Sequence, residues 1–135
     1  MVKKIRCWDN QLKKYLTLED YQNYHAIEVE TDGTLILSPR YRFADSMMIC
    51  TEAFIPEYST GLLDYSKNEV FEGDIVQDVA VGDEYGIIIF EDGHFYINTP
   101  GVLEDIESIY AYEIVGNVHN ESWKEIVDSI EGWKP

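Results

Sequence analysis

Short runs of β-prone residues separated by turn residues recur along this chain, and this pattern constrains its fold more than any other feature. Residues 75–79, 85–90 and 94–97 form three such runs, separated by the segments VGDE and EDGH. Asp-Gly between alternating residues is typical of a tight hairpin, because glycine adopts a positive φ without a steric penalty. The pattern therefore predicts a β-rich domain rather than a helix bundle.

Two further hairpins are predicted nearer the N-terminus. Residues 5–8 and 14–18 flank the polar segment DNQLK, and residues 26–30 and 35–37 flank the turn TDGT. Both arrangements place turn-forming residues between β-prone segments. The stretch 41–58 stays ambiguous, because its segment SMMIC fits both a buried strand and a helical turn.

The end of the chain predicts one long strand followed by a helix. Residues 108–118 alternate in polarity, with Gly116 at a bulge or at the exit of the strand. Over residues 122–131, Ser122 and Glu125 have the spacing of a capping box, and apolar residues recur with the period of an amphipathic helix. The apolar residues of this helix are Trp123, Ile126, Val127 and Ile130.

Together, these elements predict a single domain over residues 1–135 that is mainly β with one C-terminal α-helix. We expect a bent antiparallel sheet or a small, partly open barrel over about 70–118, with the N-terminal hairpins of residues 1–58 packed on it. The helix is expected to cover one end or edge of the sheet. The predicted core residues are Trp8, Ile75, Val76, Ile88, Phe90, Ile114, Val115, Trp123, Ile126 and Val127.

Charge is distributed unevenly along the chain. Ten basic residues oppose 26 acidic residues, and the net charge is −16 at pH 7. Residues 1–42 carry a net charge of +1, whereas no Lys or Arg occurs between Lys67 and Lys124. Direct binding to nucleic acid or to an anionic membrane is unfavourable for such a chain, because like charges repel. The acidic region is either a solvated surface that keeps the protein soluble or a surface that binds a basic partner.

No motif predicts a cofactor, a metal site or a catalytic centre. The three histidines and two cysteines are scattered, and neither a phosphate-binding glycine loop nor a Gly-x-Ser-x-Gly motif occurs. Among the many carboxylates, Asp74 and Asp78 form the pair that best fits a catalytic role. We favour a structural interpretation, in which Gly73 adopts a turn conformation and Asp74 hydrogen-bonds to that turn.

The sequence predicts neither a membrane span nor an exported protein. No uncharged apolar stretch is longer than that of residues 87–90, whereas a bilayer-spanning helix needs about 18 residues. The segment MVKKIRCWDN has basic residues but lacks the apolar stretch that follows them in a signal peptide. We therefore expect a cytoplasmic protein with Cys7 and Cys50 as reduced thiols.

Three separated segments carry a family resemblance. They are IRCWDNQLKKYL near the start, YSTGLLDYSKNEVFEGDIV in the centre and YEIVGNVHN near the end. Together they resemble the YopX family, small proteins of bacterial phages and prophages. The central segment departs from the family pattern by the insertion of Ser59 and by its DYSKNEV turn. The resemblance implies an intracellular, β-rich protein of phage origin, with no established biochemical role and no catalytic residues to assign.

Charge and resemblance together predict a non-enzymatic protein that binds a basic protein partner through an acidic C-terminal surface. The candidate binding residues are Glu72, Asp74, Asp78, Asp83, Glu84, Glu91 and Asp92. A nucleic-acid mimic that inhibits a DNA-binding enzyme of the host and an enzyme that uses a carboxylate pair are the alternatives. Self-association, in which the mildly basic N-terminal third meets the acidic region of another copy, is also open. Salt should weaken any such electrostatic association, because it screens exposed charges.

Overall fold

Strands dominate the part of the chain that the structure describes, and they pair in antiparallel sheets that include a curled half-barrel. The predicted mainly β fold with a C-terminal helix is therefore confirmed. The computed structural model describes residues 5–10, 12–17, 27–29, 35–37 and 54–130. The chain divides into two units, Met1–Ser59 and Thr60–Pro135. A single domain over residues 1–135 stays a prediction.

The first unit contains the two hairpins that the sequence predicts. Its strands are β1 (Ile5–Asp9), β2 (Lys14–Tyr15), β3 (Ile27–Val29), β4 (Leu35–Leu37) and the first residues of β5 (Phe54–Leu63). β1 pairs with β2, with Trp8 opposite Tyr15, and β3 pairs with β4, with Glu28 opposite Ile36. Both predicted hairpins are confirmed as strand pairs, and the turn residues 30–34 lie outside the described residues.

A buried ionic group joins β1 to β5 within the first unit. Arg6 lies directly opposite Glu57 in the ladder. Glu57 is buried, and its Oε1 accepts hydrogen bonds from Arg6 Nε and from the Tyr15 hydroxyl, both at 2.8 Å. This group favours the observed register, because a shift would leave a desolvated carboxylate without these donors. Of the ambiguous stretch, residues 54–58 form the start of β5, and residues 41–53 lie outside the described residues.

A five-stranded antiparallel sheet forms most of the second unit. After β6 (Glu69–Phe71), its strands are β7 (Asp74–Asp78), β8 (Tyr85–Glu91), β9 (His94–Thr99), β10 (Val102–Asp105) and β11 (Tyr112–Asn117). The spatial order is β10-β9-β8-β7-β11. Four strands thus follow one another as hairpins, and β11 returns to the opposite edge, beside β7. The three strands predicted within residues 75–97 are confirmed as β7, β8 and β9.

Both faces of this sheet are covered, because successive side chains of a strand point to opposite sides. Val76 and Ile88 are fully buried on one face, and Ile75 and Ile87 are fully buried on the other. The first face also packs Val70, Ile97, Ile106, Ile109 and Tyr112. The second face packs against the C-terminal helix through Val127 and Ile130.

The long strand predicted over residues 108–118 is wrong in its first part. Residues Ile106–Ala111 form a 3₁₀ helix, and only Tyr112–Asn117 continue as a strand. The Asp105 carboxylate caps this helix by accepting a hydrogen bond from Glu107 N at 2.9 Å. Ile106 and Ile109 are both buried, because side chains three residues apart share one side of a 3₁₀ helix. The predicted bulge is confirmed, since the β11 register shifts between Ile114 and Gly116.

The C-terminal helix is confirmed, although its start differs from the prediction. A 3₁₀ turn over Glu121–Trp123 leads into the α-helix α1 (Lys124–Ser129). Asn120, not Ser122, caps the 3₁₀ turn, and its side chain accepts a hydrogen bond from Ser122 N. The helix covers a sheet face rather than an end or edge. Among the described residues, no helix has the length and apolar character that a bilayer crossing requires.

Most of the predicted core residues are buried or partly buried, and Phe90 is the exception. Its side chain is exposed near the end of β8, where it packs on Phe95 at a ring-centroid distance of 4.8 Å. Periodicity alone groups Phe90 with Ile88, because both follow the strand alternation. The last two residues of β8 are exposed, so Phe90 lies beyond the buried part of this strand and packs on the half-buried Phe95.

Candidate functional site

A cleft of about 470 Å³ opens within the second unit. It lies between the turn that precedes β8, the β9–β10 turn, the start of β11 and helix α1. Its walls consist of Asp83, Glu84, Tyr85, Thr99, Pro100, Val102, Glu104, Tyr112, Ile126, Ser129 and Ile130. Pockets for small ligands typically measure about 300–1,000 Å³. The cleft is therefore large enough to take a ligand group or the side chain of a partner.

Two residues that line the cleft form a hydrogen bond between the two edge strands of the sheet. The Tyr112 hydroxyl on β11 donates to Glu104 Oε2 on β10 at 2.6 Å. In the strand order these two strands are the farthest apart, so the sheet must curl for their side chains to meet. The bond thus marks the place where the curled sheet closes on itself, and the cleft lies at that closure.

The Tyr112 hydroxyl stays protonated over a wide pH range. Burial raises the pKa of Tyr112 above the ordinary tyrosine value, and the hydrogen bond to Glu104 raises it further. The negative charges of Glu104, Asp78 and Glu84 act in the same direction. At neutral pH this residue is therefore a hydrogen-bond donor and not a base.

The apolar wall of the cleft is held in place by the core beneath helix α1. Tyr85 stands edge-on to Trp123, with 5.5 Å between ring centroids. Both rings pack against the buried cluster that contains Ile87 and Ile130. Because Ile130 lines the cleft and belongs to that cluster, the packing of α1 determines the shape of the apolar wall.

Two of the candidate residues from the sequence, Asp83 and Glu84, line the cleft and are exposed. Asp78 N donates to Glu84 O at 3.0 Å, and Tyr112 lies opposite Asp78 in the β7–β11 ladder. These contacts bring Glu84 towards Tyr112, which is 28 residues further along the chain. The sequence identifies Asp83 and Glu84 as candidates, but it does not indicate that Tyr112 lies towards them.

Asp74 does not belong to an exposed acidic surface, and its candidate role is corrected here. It is 2% exposed, and its Oδ2 accepts a hydrogen bond from Phe71 N at 2.8 Å. Gly73 has φ of 89° in the turn between β6 and β7. The structural interpretation of this turn is confirmed, because the carboxylate bonds to the backbone that the glycine bends. The Asp74 and Asp78 pair lines no part of the cleft described above.

The remaining candidates lie in turns outside the cleft. Asp78 Oδ1 accepts hydrogen bonds from Ala80 N and Val81 N, so it supports the turn after β7. Glu91 and Asp92 are exposed at the β8–β9 turn, where Asp92 has φ of 52°. Glu72 is half-buried in the β6–β7 turn. The acidic surface as a whole stays a prediction, with Asp74 removed from it.

Sequence reasoning missed the pairing of Glu104 with Tyr112. Glu104 is one of thirteen acidic residues in the interval without Lys or Arg, and nothing local distinguishes it from the others. The alternation around Tyr112 predicts a strand residue but does not fix which face of the sheet its ring occupies. Only the curled sheet places a residue of one edge strand against a residue of the other.

Metal binding finds no support within the described residues, where no group of three His, Cys, Asp or Glu could hold an ion. His94 Nε2 lies 3.6 Å from Asp105 Oδ2, and both side chains are about half exposed. Exposed pairs of this kind contribute little to stability, because water solvates both partners.

Comparison with known proteins decides the family. Residues 4–123 match the family model described as YopX protein. The chain belongs to the YopX family. The crystal structure of protein EF1440 from Enterococcus faecalis is similar to this YopX chain, with a TM-score of 0.53 and 23% sequence identity over 94% of this chain and 98% of that one. At this identity the likeness shows the fold alone. None of the curated proteins matches the chain.

The arrangement in this YopX chain is suited to binding a cation. Its cleft combines carboxylates, the half-buried ring of Tyr85 and an apolar wall, and the face of an aromatic ring attracts cations through its negative charge density. The Tyr112 hydroxyl is protonated and already donates to Glu104, so it does not provide a nucleophile.

Proposed function

We propose that this YopX chain is a non-enzymatic binding protein that engages a basic protein partner through the acidic surface of its second unit. One observation carries the proposal: Asp83, Glu84 and Glu104 line a single cleft that also has aromatic and apolar walls. A solvated acidic surface needs no such recess. A binding surface benefits from one, because a recess brings several carboxylates to the same ligand and the half-buried Glu104 attracts a cation more strongly than a fully hydrated carboxylate does.

The charge of the second unit supports a basic partner. Residues 60–135 contain 17 acidic and three basic residues, a net charge of −14, whereas residues 1–59 carry −2. A field of one sign speeds the encounter with a partner of opposite charge and disfavours polyanions. Family membership and the phage origin of YopX proteins support action inside a bacterial host, so we place the protein and its partner in the cytoplasm.

Capture from a bacterial lysate tests the proposal when it compares two variants of equal charge. The cleft variant carries Asp83→Asn, Glu84→Gln and Glu104→Gln. The control variant carries Glu107→Gln, Glu121→Gln and Glu125→Gln, which are exposed and lie outside the cleft and outside the candidate binding residues. Each variant loses three negative charges, so a difference between them reports on the cleft and not on net charge.

The expected result is that the wild type and the control variant retain the same basic protein at low salt and the cleft variant does not. Elution by about 0.5 M NaCl is also expected, because salt screens exposed charges. Equal retention by all three proteins would contradict the proposal. A captured DNA-binding enzyme that DNA displaces would instead favour the nucleic-acid mimic, and capture of only a second copy of this chain would favour self-association.

A further inference from the structure

The cleft presents three kinds of chemistry to one ligand. Glu84 and Glu104 supply negative charge, Tyr85 supplies an aromatic ring, and Ile126 and Ile130 supply an apolar wall. A hydrated metal ion would use only the carboxylates. An organic cation with an apolar stem would use all three, because its charged end needs the carboxylates and its stem buries apolar surface.

We propose that this cleft receives an arginine side chain of the basic partner, an inference that rests on the proposed function. Arginine fits better than lysine for two reasons. Its guanidinium group is planar, so it stacks on a tyrosine ring and bonds to a carboxylate through two N–H groups. It is also more weakly hydrated than an ammonium group, so entering a partly apolar recess removes less hydration energy.

The Tyr112–Glu104 hydrogen bond gives this site a defined geometry. Tyr112 is 3% exposed, and its hydroxyl holds Glu104 Oε2 at 2.6 Å. The carboxylate is therefore oriented before a ligand arrives, and Oε1 is the oxygen that the inference assigns to the guanidinium group. A preoriented acceptor binds more tightly, because less side-chain entropy is lost on association.

The size of the cleft agrees with an arginine that is part of a chain. A volume of about 470 Å³ exceeds what a single ammonium group requires. The additional volume suits the side chain together with the backbone on either side of it. The hydroxyls of Thr99 and Ser129 also line the cleft. They donate to Val102 O at 3.1 Å and to Ile126 O at 2.7 Å, so their oxygens can accept hydrogen bonds from the N–H groups of that backbone.

Titration of the intact protein with short peptides tests the inference, with backbone amide NMR shifts as the measurement. The probe is acetyl-Gly-Arg-Gly-amide, and the comparison peptides carry lysine or the neutral analogue citrulline in place of arginine. The arginine peptide is expected to shift amides of cleft residues and to bind at least about threefold more tightly than the lysine peptide. The citrulline peptide is expected to cause no saturable shift, because it carries no charge.

Two variants connect binding to the cleft. Glu84→Gln with Glu104→Gln should weaken binding of the arginine peptide about tenfold or more, because neutral amides replace the two carboxylates that would form charge-assisted hydrogen bonds to the guanidinium group. Glutamine can still accept the Tyr112 hydrogen bond, so the fold should persist, and unchanged near-ultraviolet circular dichroism checks this. Glu107→Gln with Glu121→Gln has the same charge change at exposed residues outside the cleft and outside the candidate binding residues, and it should leave binding within about twofold.

The inference is overturned if lysine binds as tightly as arginine, if the arginine peptide does not bind, or if its shifts lie outside the cleft. These outcomes are separate from those of the capture experiment. Capture that depends on the cleft, together with an arginine peptide that does not bind, would leave the proposed function standing and overturn only the arginine site. Peptide binding in the cleft without any captured partner would support the site and contradict the proposed function.

Discussion

The buried carboxylate of Asp64 joins two segments of the second unit that are far apart in sequence. Its Oδ1 accepts a hydrogen bond from Asn68 N at 2.7 Å, and its Oδ2 accepts one from Ile114 N at 2.9 Å. Tyr65 N also donates to Tyr112 O at 2.7 Å. The loop after β5 therefore covers the outer edge of β11, so this edge strand is not left open to pairing with another chain.

Asp64→Asn should lower the free energy of unfolding by about 2 kcal/mol. An asparagine has one oxygen, so its amide group would face one of the two backbone N–H donors and a charge-assisted hydrogen bond would be lost. Urea unfolding followed by circular dichroism measures the change. Asp92→Asn is the matched control and should stay within about 0.5 kcal/mol, because Asp92 is exposed in a turn at positive φ that asparagine tolerates. Equal effects of both substitutions would contradict the role of Asp64.

Tyr112 should make the folded state lose stability at alkaline pH. Its folded pKa is raised above the unfolded value of about 10, so the folded protein holds its proton more tightly than the unfolded chain. The stabilising contribution is therefore complete below about pH 10 and decreases as the pH rises above that value. The free energy of unfolding of Tyr112→Phe should fall less steeply between pH 9 and 11. Parallel curves for the two proteins would show that other groups cause the decline.

Among the structural elements, the bulge in β11 and the 3₁₀ turn before α1 depend on each other. The register of β11 shifts at Val115, which brings Gly116 against the indole of Trp123. A Cβ atom at Gly116 would clash with Trp123 Nε1 and would lie 2.6 Å from Cδ1. Because Gly116 has no side chain, Trp123 can pack beside Tyr85, which lines the cleft.

Gly116→Ala should destabilise the protein by about 1–3 kcal/mol, because Trp123 must move to accept the added methyl group. The same substitution should cost less in a Trp123→Phe background, since the smaller ring lacks the clashing nitrogen. Thermal unfolding of the four proteins in this double-mutant cycle measures the coupling. Additive effects would contradict a direct clash.

The start of the C-terminal helical segment depends on Asn120. Its Oδ1 accepts hydrogen bonds from Ser122 N at 3.0 Å and from Ser122 Oγ at 2.7 Å. Asn120→Ala should therefore cost about 1 kcal/mol, a typical value for the loss of a cap. Ser122→Ala should cost less, because it leaves the backbone hydrogen bond in place. If Ser122→Ala lowered the free energy of chemical unfolding more than Asn120→Ala, then Ser122 rather than Asn120 would be the cap.

For the molecule as a whole, repulsion among its acidic groups should make stability increase with salt. The net charge is −16, and residues 60–135 carry most of it. Screening reduces this repulsion as the Debye length falls from about 30 Å at 0.01 M to about 10 Å at 0.1 M. The unfolding midpoint should rise with NaCl over this range. The control variant with Glu107→Gln, Glu121→Gln and Glu125→Gln should respond less, because it carries three fewer negative charges. A midpoint that falls with salt would mean that attractive pairs dominate.

The sequence determined the parts of this protein that depend on neighbouring residues. Tight turns and strand alternation are local properties, so the two N-terminal hairpins, strands β7 to β9, the bulge near Gly116 and the apolar face of the last helix could all be predicted. The Gly73–Asp74 turn could also be predicted from neighbouring residues, because the glycine and the carboxylate act within one turn. Family membership also followed from local segments.

Only the tertiary structure decided which distant groups meet. Alternation at residues 108–111 imitates a strand, but burial of Ile106 and Ile109 on one side selected a 3₁₀ helix. Phe90 alternates like a core residue but lies beyond the buried part of its strand. The cleft exists because the sheet curls until Tyr112 on one edge strand bonds to Glu104 on the other. Residue order cannot show this closure, because it depends on the summed twist and packing of five strands.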